Sequence, residues 1–423
     1  MRKKIRLSLL LCLILGTALI NSAFAVQAQT PPPPQPNIVA MVDTLSSDAQ
    51  QPGNTRFVIF APGKPDSKPL FDTTPDTVVQ ISPDGKLELV TVESQALAAA
   101  PDVTPTPNPN PATQGSGPLA YGPVGQALRT IPIDSGHQVL SSTFSADGRY
   151  LSYTTASLNN SDWVLGILDV ATGKRIEFGG DYDNPAPGGF SGVANTIAWS
   201  ADSKHIFVQT YEPFSANGGF DTVYSLDISA ASFDKPGRLP VPSGTRLIKE
   251  GTTLGNVAVS NDGTKLAYSF TQVGNSSTPL PNETPPDAVT VLDLGTGNAI
   301  VTYKAEPGQA LGVPLSWSPD GQKLVFVGGS YKNTGAVTSS RLLMLDMDTK
   351  QVSVTPVQAD DPASSLDYVV ACSNAVFYVA SKPDASGQAI TQTLFSAPLA
   401  DLKTATRLQS ASFISLLSCV PAS

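Results

Sequence analysis

Trp317-Ser318-Pro319-Asp320-Gly321, followed by the run Lys323-Leu324-Val325-Phe326-Val327, is the stretch that decides the fold. The same phrase stands at Ile81-Ser82-Pro83-Asp84-Gly85, Phe144-Ser145-Ala146-Asp147-Gly148, Trp199-Ser200-Ala201-Asp202-Ser203 and Val259-Ser260-Asn261-Asp262-Gly263. Its aspartates lie 63, 55, 60 and 58 residues apart, so one structural unit recurs. Pro presets φ, Asp closes the turn and Gly accepts positive φ, which is hairpin chemistry between two apolar runs. Asp84, Asp147, Asp202, Asp262 and Asp320 are therefore expected to be structural, accepting hydrogen bonds from nearby amides.

The rest of each unit continues the pattern. A third strand reads Val164 to Asp169, Val223 to Asp227, Val289 to Asp293 and Leu342 to Asp346. A polar turn such as Gly295-Thr296-Gly297-Asn298 and a short fourth run such as Gln351-Val352-Ser353-Val354 close it. Four antiparallel strands in about 55 residues make a β-propeller blade. The ends of the chain set the count. Asn37–Val42, Arg56–Phe60 and Lys68–Phe71 read as strands two to four of a blade without its first strand, and Phe413–Ser418 as a first strand with nothing after it. Pairing them removes two exposed sheet edges. The sequence thus predicts an all-β, seven-bladed propeller with blades at 37–73 plus 412–419, 77–131, 138–178, 195–243, 255–303, 311–356 and 366–408.

The repeated Ser-Pro/Ala/Asn-Asp-Gly turn followed by Lys-Leu-Val-Phe resembles the TolB-like β-propeller repeat, a relative of WD repeats, over residues 37–419. The resemblance implies the blade and says little of activity, since fold does not imply function. Two departures accompany it. No separate α/β segment stands ahead of the repeats, and seven units are counted where TolB has six, so TolB's own partners are not carried over.

Composition bears on the compartment. Arg2, Lys3, Lys4 and Arg6 precede an apolar stretch from Leu7 to Ile20 and the cleavage pattern Ala23-Phe24-Ala25, which reads as a secretory signal peptide over 1–25. Cleavage after Ala28 is the second choice. The stretch is too short for a comfortable membrane span, and Cys12 lacks a lipoprotein context. Residues 26–36 form a Pro-rich lead-in. Loss of those four cations takes the formal net charge from −9 to −13, which argues against nucleic acid and against charge-driven docking on an anionic membrane. An extracytoplasmic monomer, secreted or periplasmic, is expected. Its two remaining cysteines, Cys372 and Cys419, hold the position of Trp199 and Trp317 in adjacent units. They form either a disulfide or two buried thiols.

No catalytic constellation emerges. With only His137 and His205, a His-based zinc site is not expected. Ser191 lacks the second Gly of a nucleophile elbow, because Val193 stands there. Asp181, Asp183 and Asn184 lack the Gly and Glu of a calcium loop. The informative segments are the non-repeating links between second and third strands: Glu93–Pro118, Tyr211–Phe220, Gln272–Asp287, Gly328–Ser340 and Ser381–Gln388. They fall on one face, opposite the Asp-Gly turns, and unique loops on a rigid scaffold are where binding resides. Tyr211, Phe214, Phe220 and Tyr331 are their candidate anchors for a partner. The expected function is a non-enzymatic interaction scaffold, without catalytic residues or cofactor, for another protein or a cell-envelope component. Two alternatives are a metal-assisted hydrolase or lactonase with carboxylates around the central channel, and a glycan or small-molecule binder.

Overall fold

The computed structural model describes residues 37–43, 55–73, 78–91, 119–134, 136–157, 162–181, 193–212, 220–229, 233, 238–240, 244–248, 253–271, 286–331, 337–356, 365–383 and 390–420. Every regular element among them is a strand. The strands form seven sheets, one per blade, arranged in a ring with each first strand beside those of its neighbours. The signal peptide, the lead-in, Phe214, Ser191, Asp183 and Asn184 lie outside the described residues.

Blade 1 closes the ring. Its first strand is the C-terminal Phe413–Val420, paired antiparallel to Asn37–Asp43, which leads into Thr55–Phe60 and Ser67–Thr73. Blade 2 is Val78–Ile81, Leu87–Thr91, Leu119–Pro123 and Arg129–Ile131. Blade 3 holds His137–Phe144, Tyr150–Ser157, Asp162–Asp169 and Arg175–Asp181; blade 4 holds Val193–Trp199, His205–Glu212, Phe220–Asp227 and Gly244–Arg246. Blade 5 runs through Thr253–Val259, Lys265–Thr271, Ala288–Asp293 and Ala299–Lys304. Blade 6 comprises Gln309–Trp317, Lys323–Tyr331, Val337–Asp346 and Gln351–Pro356, and blade 7 Ser365–Cys372, Ala375–Pro383, Ile390–Pro398 and Thr406–Ala411.

Each strand alternates its side chains between two faces, and both faces of an inner strand are covered by neighbouring blades. The apolar core is accordingly divided into seven clusters, one at each blade junction. Trp163, Leu165 and Ile206, for example, fill the junction of blades 3 and 4. The conserved geometry extends to polar atoms: Trp199 Nε1 donates to Thr143 O (3.2 Å) in blade 3, and Trp317 Nε1 to Ala258 O (3.1 Å) in blade 5.

Two features depart from the regular pattern read in the sequence. First strands are bulged in six blades, at Leu140, Ile197, Gly255–Asn256, Val313–Pro314, Asp367 and Leu417. A bulge bends the strand, as an inner strand at the tightest radius requires. The second departure is in blade 4. Its outer strand is Gly244–Arg246, beyond the limit expected at residue 243, and Arg238–Pro240 instead adds to blade 3 as a fifth strand, parallel to Arg175–Asp181. The local cause is a missing turn. In blades 3, 5 and 6 the third strand ends in Asp-x-x-Thr, where Asp169, Asp293 and Asp346 accept bonds from the amide and hydroxyl of Thr172, Thr296 and Thr349. Asp227 has no such Thr, accepts instead from Ser229, whose amide lies at 2.8 Å, and the chain swings away. Phe233 anchors that excursion by stacking on Tyr150 (5.6 Å), which stacks in turn on Trp199 (5.8 Å).

Ring closure carries extra fastenings. Cys372 of blade 7 and Cys419 of blade 1 are joined by a disulfide, with Cα atoms 5.6 Å apart. Gly63 N donates to Ser396 Oγ (2.8 Å), again from blade 1 to blade 7. Where the bulges of blades 1, 3 and 4 pack Leu417, Leu140 and Ile197 against a junction core, blade 7 has Asp367, which accepts from Ser381 Oγ and from Gln392 Nε2 (2.8 Å). The Gln392 carbonyl accepts the Ile414 amide (2.5 Å), so the network reaches the C-terminal strand. The disulfide spans 47 residues, so reduction or Cys372→Ser is expected to lower stability by about 2–4 kcal/mol. Urea unfolding with and without reductant checks this; identical midpoints would remove the bond from the description.

Candidate functional site

Two faces of the ring differ in kind. On one, the five turns repeat the same bonding. Ser82, Ser145, Ser200, Ser260 and Ser318 each donate Oγ–H to the Asp two residues on, at 2.5–2.6 Å. Each Asp Oδ1 also accepts a backbone amide two residues later, as from Thr264 to Asp262 at 3.0 Å. Successive turns also pack together: a Cβ on Gly263, at φ +67°, would meet Ala201 N of the preceding blade at 3.0 Å. The repeated carboxylates are thus engaged in holding their own turns.

These bonds carry a pH dependence. Burial pushes the Asp84, Asp202 and Asp262 carboxyls up, but the Ser hydroxyl, the following amide and a neighbouring lysine together outweigh it and hold all three below the usual range. A depressed native pKa stabilises the fold above the unfolded value of about 3.9, and that contribution drains as pH falls through the lower native value. The urea midpoint is therefore expected to fall between about pH 5 and pH 3. Asp262→Asn should flatten the fall; an unchanged slope would mean these turns do not titrate with folding.

On the opposite face stand the ends of the non-repeating links. Their flanking pairs are Thr91 with Leu119, Glu212 with Phe220, Phe270 with Ala288, Tyr331 with Val337, and Pro383 with Ile390. Tyr211, Phe220 and Tyr331 are not loop residues, as the sequence had suggested. Tyr211 pairs with Val193 and Asp221, Phe220 with Glu212, and Tyr331 with Val337, because the strands run further than the apolar pattern does. The link of blade 6 is correspondingly shorter.

Sequence reasoning missed two exposed apolar side chains on this face. Ile390 is 52% exposed and Phe413 37%, two of the three large exposed hydrophobics among the described residues. Ile390 opens the third strand of blade 7 and Phe413 the first strand of blade 1. Gln392, one strand period from Ile390, accepts the amide of Ile414, which sets the starts of these two strands side by side, while Phe413, out of step with Ile414, faces the other side of its strand. Elsewhere on this face, in blade 3, the His137 side chain is buried and engaged at both nitrogens: Nε2 lies 3.2 Å from Asp162 Oδ1 and Nδ1 3.2 Å from Thr155 Oγ1. It ties the start of blade 3 to the base of that blade's second-to-third-strand link, a structural role. Among the described residues no three His, Cys, Asp or Glu side chains converge as a metal centre requires, and no helix is long and apolar enough to cross a membrane.

The turn face also holds a concavity. A cleft of about 620 Å³ lies between blades 4 and 5, with Phe207 and Leu247 of blade 4 and Leu294 of blade 5 in its walls and His205, Asp227 and Asp293 among its polar groups. A further recess of about 320 Å³ continues it along Arg246 and Thr296. Of the residues after Asp227, Ile228, Phe233 and Leu239 pack in the junction of blades 3 and 4 rather than in that of blades 4 and 5.

The fold defines the class: a seven-bladed β-propeller with strand-exchange closure, as the resemblance of its repeat to TolB-like and WD-like propellers implied. No family model matches the sequence, and no curated protein matches it. Among solved structures the chain is similar to TolB from Acinetobacter baumannii, at 14% identity over 90% of this chain and 83% of that one, with a TM-score of 0.40. It is similar also to the β-propeller domain of the Trilobed protease from Pyrococcus furiosus, at 10% identity over 76% and 84%, TM-score 0.47. The Cps50 (Swd1) β-propeller domain of Myceliophteria thermophila shows 13% identity over 79% and 88%, TM-score 0.46.

Proposed function

We propose that this chain is an exported, non-enzymatic propeller scaffold that holds another protein or a cell-envelope component on its long-link face. The observation that carries this is that the strand ends flanking the five non-repeating links, and the exposed Ile390 and Phe413, lie on one face of the ring. A rigid ring with its repeated polar groups engaged in turns leaves partner recognition to the groups that do not repeat. Phe214, Tyr211, Phe220 and Tyr331 are the further contacts in this reading, with aromatic rings as anchors.

The test compares the two faces. Replacing Ile390 and Phe413 together with Ser is expected to weaken partner capture at least about tenfold while leaving the melting temperature nearly unchanged. Phe214→Ser with Tyr331→Ser should add to the loss. Asp320→Ala should do the reverse, costing about 1–3 kcal/mol of stability through the lost turn bonds while capture persists. Capture lost only in the turn variant would place the partner on the other face.

A further inference from the structure

We propose that the cleft between blades 4 and 5 binds an organic cation, an amine or guanidinium carried on an apolar chain. It lies on the turn face, so it is independent of the partner surface proposed above. Its volume of about 620 Å³ is that of a small-ligand site. The two blades contribute unlike parts. Phe207, Leu247 and Leu294 give apolar wall for a chain of methylenes, while Ser225, Thr245 and Thr264 supply hydroxyls at the rim.

Two aspartates line the cleft beside His205, and Arg246 lines the adjoining recess. Asp227 comes from blade 4 and Asp293 from blade 5, and each Oδ1 fastens its own turn: Asp227 accepts the Ser229 amide, Asp293 the Thr296 amide and hydroxyl. The Ser229 hydroxyl and amide hold the Asp227 carboxyl below the usual range, and the Thr296 amide and hydroxyl do the same for Asp293, so both are ionised at neutral pH. Lys204 and Lys265, whose charges also act on Asp227 and Asp293, form their ion pairs with Asp202 (3.9 Å) and Asp262 (3.5 Å). Blades 3, 5 and 6 carry the same Asp-Thr turn at the end of their third strand, so a carboxylate there is not by itself a site. What is particular to this junction is the space between two of them, opened by the displaced outer segment of blade 4. A cation set between carboxylates from two blades gains charge-assisted hydrogen bonds from both.

Agmatine, which carries a guanidinium and an amine on a four-carbon chain, is the probe, titrated calorimetrically into the full-length mature protein. A capped pentapeptide with a central Arg forms a second arm and distinguishes a peptide side chain from a free polyamine as the source. Glutarate and a neutral diol of like length serve as controls. Saturable binding of either cation and none of the controls is expected, weakened at least about tenfold by Asp227→Asn or Asp293→Asn, which keep the turn-bonding oxygen and remove the charge. Asp346→Asn, the same turn lesion in blade 6, should leave binding intact. Thr245→Phe, which fills the cleft without touching a turn, should abolish it. No saturable binding by either cation, or binding unmoved by Asp227→Asn, Asp293→Asn and Thr245→Phe, overturns the assignment.

Discussion

Removing residues 412–423 is expected to leave a chain that does not purify as a folded monomer. The deletion takes away the first strand of blade 1 and exposes the backbone of Asn37–Asp43 along its whole pairing edge. It also opens the edge of the ring next to blade 7, because Ile414 and Leu416 complete the apolar junction that holds Phe377, Val379 and Leu394. The disulfide and the bond from the Ile414 amide to Gln392 are lost with it. Unpaired edges and an uncovered core both favour aggregation. Size-exclusion chromatography with light scattering gives the answer. A soluble monomer with the parent melting temperature would mean the ring closes without this strand.

Gly166→Ala is the single substitution with the largest expected cost. Gly166 lies in the third strand of blade 3, opposite Tyr153 of the second strand. The phenol ring lies flat over the glycine: a Cβ built there would fall 2.0 Å from the ring's Cζ and within 2.5 Å of two more ring carbons. Tyr153 is 1% exposed and its hydroxyl donates to Glu177 Oε1 (3.1 Å), so the ring has neither room nor freedom to move aside. Even one methyl group then forces the ring or the strand to shift, at a cost of about 3 kcal/mol or more. Tyr153→Ala combined with Gly166→Ala should recover part of the loss relative to the sum of the two single changes, because the clash disappears with the ring. Additive effects in urea unfolding would show that the ring is not what forbids a side chain at Gly166.

The blades were legible because a turn phrase and an alternating strand sit at fixed spacing, and both are local. The closure was legible because edges are costly wherever they occur. Other features depend on distance in space. A first-strand bulge answers the radius of the ring, and neither Leu140 nor Ile197 differs in kind from its neighbours in sequence. The three-residue strand Arg238–Pro240 is too short for any periodicity and exists because the outer edge of blade 3 receives it. One signal was present and unused: Asp169, Asp293 and Asp346 are each followed three residues later by Thr, and Asp227 is not. That difference marks the blade whose outer strand is displaced, and with it the cleft. The exposed Ile390 and Phe413 could not be told from core residues by sequence, since both open strands whose apolar positions further along are buried or half-buried.

The claim that the long-link face recognises a partner is tested most directly by site-specific photo-crosslinking in the producing cell. A photoreactive residue is placed at Ile390, at Phe413, and at the turn-face positions Thr349 and Thr404, followed by mass spectrometry of the adducts. Crosslinks from Ile390 and Phe413 to the same envelope or secreted protein, with none from the turn face, are the expected result. Adducts to that protein from Thr349 or Thr404, with none from Ile390 or Phe413, would contradict it.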